Sequence, residues 1–121
     1  MPATRILCVD DDPGVLITLP QVLRMHGYEV TTAASVQEAL NTITSQQFDV
    51  LISDLNMGHI ADGFTVVHTM QRVNPQCVNL ILTGFPAFET ALQDLNKVND
   101  AVLLQLEESI ESYLQAERGK A

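Results

Sequence analysis

The sequence predicts an α/β fold built on a doubly wound parallel sheet, and three observations carry that expectation. Short apolar runs alternate with stretches of helical periodicity. The runs are apolar at consecutive positions, as strands buried on both faces are. Acidic or hydroxyl residues directly follow three of them, at the strand ends where an open parallel sheet gathers its ligands.

Arg5-Ile-Leu-Cys-Val9 reads as the first strand, ended by three aspartates. From Val15 the apolar residues Leu16, Leu19, Val22 and Leu23 recur at helical spacing until Gly27, a natural helix stop, with Pro20 expected to kink the helix. Glu29 to Thr32 reads as a second strand. Ser35-Val-Gln-Glu38 is a capping box that opens a helix carrying Val36, Ala39, Leu40 and Ile43. Asp49 to Ser53 is the third strand, Gly63 to Val73 the third helix, and Val78 to Leu82 the fourth strand. Strands joined through helices imply parallel neighbours covered on both faces.

Between Phe88 and Arg118 neither glycine nor proline punctuates the chain, and two readings stand. In one, Ala101-Val-Leu-Leu104 is a fifth strand after an Asn99-Asp100 turn, completing a sheet of order 2-1-3-4-5. In the other, Phe88, Leu92, Leu95, Val98, Val102, Leu106, Ile110 and Tyr113 form one helical stripe and the fifth strand is missing. The strand reading is preferred. No repeat or linker divides the chain, so residues 1–121 are expected to form one domain.

Composition excludes several classes of function. With 15 acidic and 6 basic residues, the net charge of −9 repels a nucleic-acid backbone, so direct nucleic-acid binding is not expected. No apolar stretch approaches a membrane span and no signal-peptide core opens the chain, so a cytoplasmic location is expected. Cys8 and Cys77 lie in apolar segments without metal-type spacing and read as buried free thiols. The lack of Gly-x-Gly-x-x-Gly after the first strand argues against a dinucleotide site.

The positions with chemistry to offer lie at strand ends. Asp10, Asp11 and Asp12 follow the first strand, Asp54 the third and Thr83 the fourth. In order 2-1-3-4-5 these strands are central neighbours, so their side chains share one pocket. Crowded carboxylates repel unless some stay protonated or a divalent cation joins them. An all-oxygen ligand set suits Mg²⁺. Asp54 would be the nucleophile for a phosphoryl group, with the Thr83 hydroxyl helping to neutralise its oxygens. Asp12, directly before Pro13-Gly14, reads as a helix cap rather than a metal ligand. His26 is read as a helix-end residue, while His59 and His68 have no second ligand at metal spacing.

These residues resemble the receiver family of bacterial two-component signalling. The likeness runs from Arg5 to about Ala91 through Ile6-Leu-Cys-Val-Asp-Asp-Asp12, Phe48-Asp-Val-Leu-Ile-Ser-Asp-Leu-Asn-Met57, Asp62-Gly63 and Ile81-Leu-Thr-Gly84. Each motif is weak singly, but their order and separation are specific. The resemblance implies a flavodoxin-like fold and transfer of phosphate onto Asp54 from a sensor histidine kinase or phosphotransfer protein. It implies a Mg²⁺ site made by Asp11, Asp54 and the Asn56 backbone carbonyl, with Asp10 as an indirect partner. Thr83 becomes the switch hydroxyl. A downstream protein or effector domain would read the change, although no effector domain is recognised here, and a homodimer is left open. Such a chain is a switch rather than an enzyme, catalysing at most its own phosphotransfer and dephosphorylation.

Two departures from the family pattern matter. The loop Met57-Gly-His-Ile-Ala-Asp-Gly63 lacks the usual proline after the methionine and is one residue longer. The Lys-Pro pair that normally ends the fifth strand is absent, and the strand alignment puts Gln105 at the lysine position. The absent lysine motivates an alternative, a receiver-like binding module that is not phosphorylated. A third reading, a Mg²⁺-dependent phosphohydrolase using Asp10-Asp-Asp12, lacks the threonine and capping insert of such enzymes.

Overall fold

The computed structural model describes residues 3–54 and 60–81, without the side chains of residues 60–62 and 81. Its elements run β1 (Arg5–Val9), α1 (Pro13–Met25), β2 (Glu29–Ala33), α2 (Val36–Ser45), β3 (Val50–Ser53), α3 (Ile60–Val73) and β4 (Val78–Ile81). Among the described residues the sheet has order β2-β1-β3-β4, all parallel, as the sequence predicts for its first four strands. The fifth-strand question and Gln105 lie outside the described residues.

Strand alternation divides the core in two. Ile6 and Cys8 of β1, with Val50, Ile52, Val78 and Leu80, pack against Val15, Leu19, Val22 and Leu23 of α1. Leu7, Val9 and Leu51 face the other way, onto Ala39 and Ile43 of α2 and Val66 and Met70 of α3. Consecutive apolar residues are therefore required on β1 and β3, because each face meets a helix. Both cysteines are buried and unpaired, as expected, one in each half of the core.

Local chemistry sets the helix ends. Asp12 caps α1 by accepting from the Gly14 N–H at 2.8 Å, with Pro13 in the first turn. The helix continues through Pro20, which is buried. It closes in a Schellman motif: Tyr28 N–H donates to the Leu23 carbonyl and Gly27 N–H to that of Arg24. Gly27, at φ 88°, takes the left-handed conformation that the motif needs. Ser35 caps α2 through the Glu38 N–H, and Glu38 returns a bond to the N–H of Ala34, one residue before the cap. The third helix begins at Ile60 rather than Gly63, so part of the anticipated loop is helical. Gly63 is buried within the first turn.

At the amino ends of the strands, Arg5 ties three elements together. Its N–H donates to Asp49 Oδ2 (2.9 Å) and its guanidinium to Gln46 Oε1 (2.8 Å), 3.7 Å from a Glu29 carboxylate oxygen and 5.4 Å from the Phe48 ring centre. On α3, Phe64 is 47% exposed and meets His68 one turn on.

Candidate functional site

The sheet register builds the site. Val9 is paired with Ser53 in β3 and with Ala33 in β2, so Asp10 and Asp54 leave the sheet side by side at its carboxyl edge. Backbone bonds hold them there: Asp10 N–H donates to the Ala33 carbonyl (3.2 Å) and Asp54 N–H to the Val9 carbonyl (3.1 Å). The acidic cluster is therefore anchored on the most buried strands rather than on a loop.

Carboxylate oxygens of Asp10, Asp11 and Asp54 lie within 4.8 Å of one another. Asp10 and Asp54 are buried, and Asp11 is exposed. At an effective dielectric of about 20, two like charges at that distance repel by about 3 kcal/mol. Asp10 responds to its surroundings: burial pushes its carboxyl from 3.8 up to about 7. The hydrogen bond from the Asp12 N–H works against that rise, and the charges of Asp54, Asp11 and Asp12 add to it.

The oxygens of Asp10 are unequal. Oδ1 accepts from the Asp12 N–H at 2.9 Å, whereas Oδ2 is buried without a hydrogen-bond partner. A buried, unpartnered carboxylate oxygen beside two more carboxylates fits a hard divalent cation, since it loses hydration and receives nothing from the protein. The residues present thus suit Mg²⁺, and Asp10, Asp11 and Asp54 are the side chains that would hold it.

Asp12 stands apart, as the sequence suggests. Its Oδ1 is committed to the Gly14 N–H while its own N–H orients Asp10. The first half of this double turn, the Asp12 N–H on Asp10 Oδ1, was missed by sequence reasoning, whereas the Asp12 cap was expected. Its signal was the Asp-x-Asp-Pro-Gly spacing, since Asp side chains bond backbone two residues on. Among the other candidates, His68 is exposed on α3 and His26 is the residue at the end of α1. Thr83, Asn56 and His59 lie outside the described residues.

Comparison with known proteins agrees with this arrangement. The family described as response regulator receiver domain matches residues 6–104. The transcriptional regulatory protein ZraR of Escherichia coli is 36% identical over 90 residues, covering 74% of this chain and 20% of ZraR. A CheY-like receiver domain protein of Methanospirillum hungatei superposes with TM-score 0.78 at 26% identity, covering 99% of this chain and 100% of its own. The response regulator TrrA of Thermotoga maritima, solved with Mg²⁺ and BeF, gives TM-score 0.67 at 25% identity, covering 91% of this chain and 98% of TrrA. In a complex with the histidine kinase ThkA, TrrA matches at TM-score 0.58 and 32% identity, covering 64% and 66%.

A flavodoxin-like sheet with an acidic cluster at its carboxyl edge defines the class of protein. The chain belongs to the response regulator receiver family of two-component systems. It spans about one-fifth of the length of ZraR.

Proposed function

We propose that residues 1–121 act as a phosphoacceptor receiver domain, taking a phosphoryl group onto Asp54 in the presence of Mg²⁺ and changing the surface presented to a downstream protein or effector domain. The observation that carries this reading is the cluster of Asp10, Asp11 and Asp54, the first and last of them buried, with one Asp10 oxygen left without a partner. The donor would be a histidine kinase or phosphotransfer protein, as the solved complex of TrrA with a kinase supports.

Each residue has a role that follows from its setting. Asp54, held by its N–H on the Val9 carbonyl, presents a carboxylate at the edge of the sheet. One of its oxygens attacks phosphorus, forming an acyl phosphate as the donor's P–N bond breaks and the electron pair leaves on the imidazole nitrogen. Asp10 and Asp11, together with Asp54, would hold the cation. Bound there, Mg²⁺ supplies charge neutralisation for the phosphoryl oxygens. Without it, Asp10 holds a proton up to near neutral pH and so limits repulsion in the pocket. Thr83, following β4 in sequence, is proposed as the switch hydroxyl, and the Asn56 carbonyl as a further metal ligand.

A second reading, a receiver-like module that binds without being phosphorylated, is favoured by one observation: the chain contains no Lys-Pro pair. Incubation with acetyl phosphate and Mg²⁺ followed by intact mass separates the two. Gain of one phosphoryl group by the unaltered chain and none by Asp54→Ala supports phosphorylation. No gain by the unaltered chain leaves the binding module standing.

A further inference from the structure

We propose that Arg24 guards the β2 edge of the sheet, which no further strand covers among the described residues, against pairing with a second copy of this chain. β2 lies at the end of the sheet order, with β1 on one side. Glu29 N–H donates to the Thr4 carbonyl, and the Ala33 carbonyl accepts from Asp10 N–H, so residues 29, 31 and 33 direct their backbone groups at β1. Period-two alternation then turns the N–H and C=O of Val30 and Thr32 outward. The strand, Glu-Val-Thr-Thr-Ala, is rich in β-branched residues and free of proline, the composition of an edge that readily accepts another strand.

Arg24 reaches from the last turn of α1 and donates through Nη2 to the outward Val30 carbonyl at 3.0 Å. That carbonyl is one of the groups a neighbouring strand would need. Two copies meeting edge to edge would pair β2 with β2 about a two-fold axis, each offering the same groups. They would first have to displace both arginines, which would otherwise be brought together as like charges. The occupant excluded is thus a second copy of this chain. A charge-assisted hydrogen bond lost on each side corresponds to at least about tenfold weaker association.

The test compares the full chain with Arg24→Ala, Arg24→Lys and Arg24→Ala/Thr32→Lys by sedimentation velocity. An ionic strength of about 0.5 M screens the repulsion between acidic chains. Arg24 is exposed, and circular dichroism confirms that each variant is folded. The expected result is that Arg24→Ala associates at concentrations about tenfold below the unaltered chain. Its Thr32 N–H should gain protection from hydrogen exchange on association. Arg24→Lys, which keeps a cation in reach of the carbonyl, should match the unaltered chain, and a lysine at position 32 should return the alanine variant to that behaviour. The proposal is overturned if Arg24→Ala associates no more than the unaltered chain, or if it associates without protecting Thr32 and irrespective of the lysine.

Discussion

Replacing Asp10 by asparagine should stabilise the metal-free chain, by an amount that grows with pH. Asp10 is 2% exposed, and burial lifts its carboxyl to about 7 from an ordinary 3.8. A carboxyl raised on folding contributes stability that is fully present below its unfolded value and lost as pH rises through its folded value. The loss therefore runs from about pH 4 to about pH 8. A shift of about three units at 1.36 kcal/mol each makes the ionised form about 4 kcal/mol less favourable in the folded state. Of this, about 2–3 kcal/mol falls between pH 5 and pH 8. Asparagine keeps the oxygen that accepts from the Asp12 N–H and cannot ionise. Urea unfolding in chelator at pH 5, 6, 7 and 8 measures the difference. With a slope of about 1–3 kcal/mol per molar, the roughly 4 kcal/mol present at pH 8 should place the midpoint of Asp10→Asn about 1–4 M above that of the unaltered chain, the gap narrowing towards pH 5. A gap independent of pH, or an asparagine variant less stable at pH 8, would refute the reasoning.

Further outcomes follow from the same geometry. Mg²⁺ should bind more weakly below about pH 7, where it must displace the Asp10 proton, and calorimetry in two buffers of different ionisation heat should show proton release on binding near neutrality; affinity and heat without pH dependence would count against it. Asp12→Ala should cost about 1 kcal/mol by removing the α1 cap, whereas Asp12→Asn should cost a few tenths, and both should still accept phosphate if Asp12 is a cap rather than a ligand. Ser35→Ala should likewise cost about 1 kcal/mol, and adding Glu38→Ala should cost less than the sum of the single changes, because both side chains serve one helix end.

Legibility in the sequence followed how local each cause was. Strand β1 was plain because Ile6, Leu7, Cys8 and Val9 are all buried, so both faces wrote apolar residues into consecutive positions. The α1 cap and the Gly27 stop were plain because both are backbone chemistry within a few residues. The start of α3 was not. Gly63 reads as a boundary by propensity, yet helix already begins at Ile60. For the site, the three aspartates and their strand-end positions were legible, as was the meeting of Asp10 with Asp54. The protonation behaviour of Asp10 was not, because it depends on its burial and on an N–H two residues away that only the turn geometry aligns.

The central claim, that Asp54 is the residue that takes the phosphoryl group, is tested most directly by reducing the acetyl-phosphate-treated protein with borohydride and mapping the modified peptide. An acyl phosphate on an aspartate is reduced to homoserine, and the expected result is homoserine at position 54 alone, dependent on Mg²⁺. Homoserine at position 10 or 11, or none at any position, would contradict it.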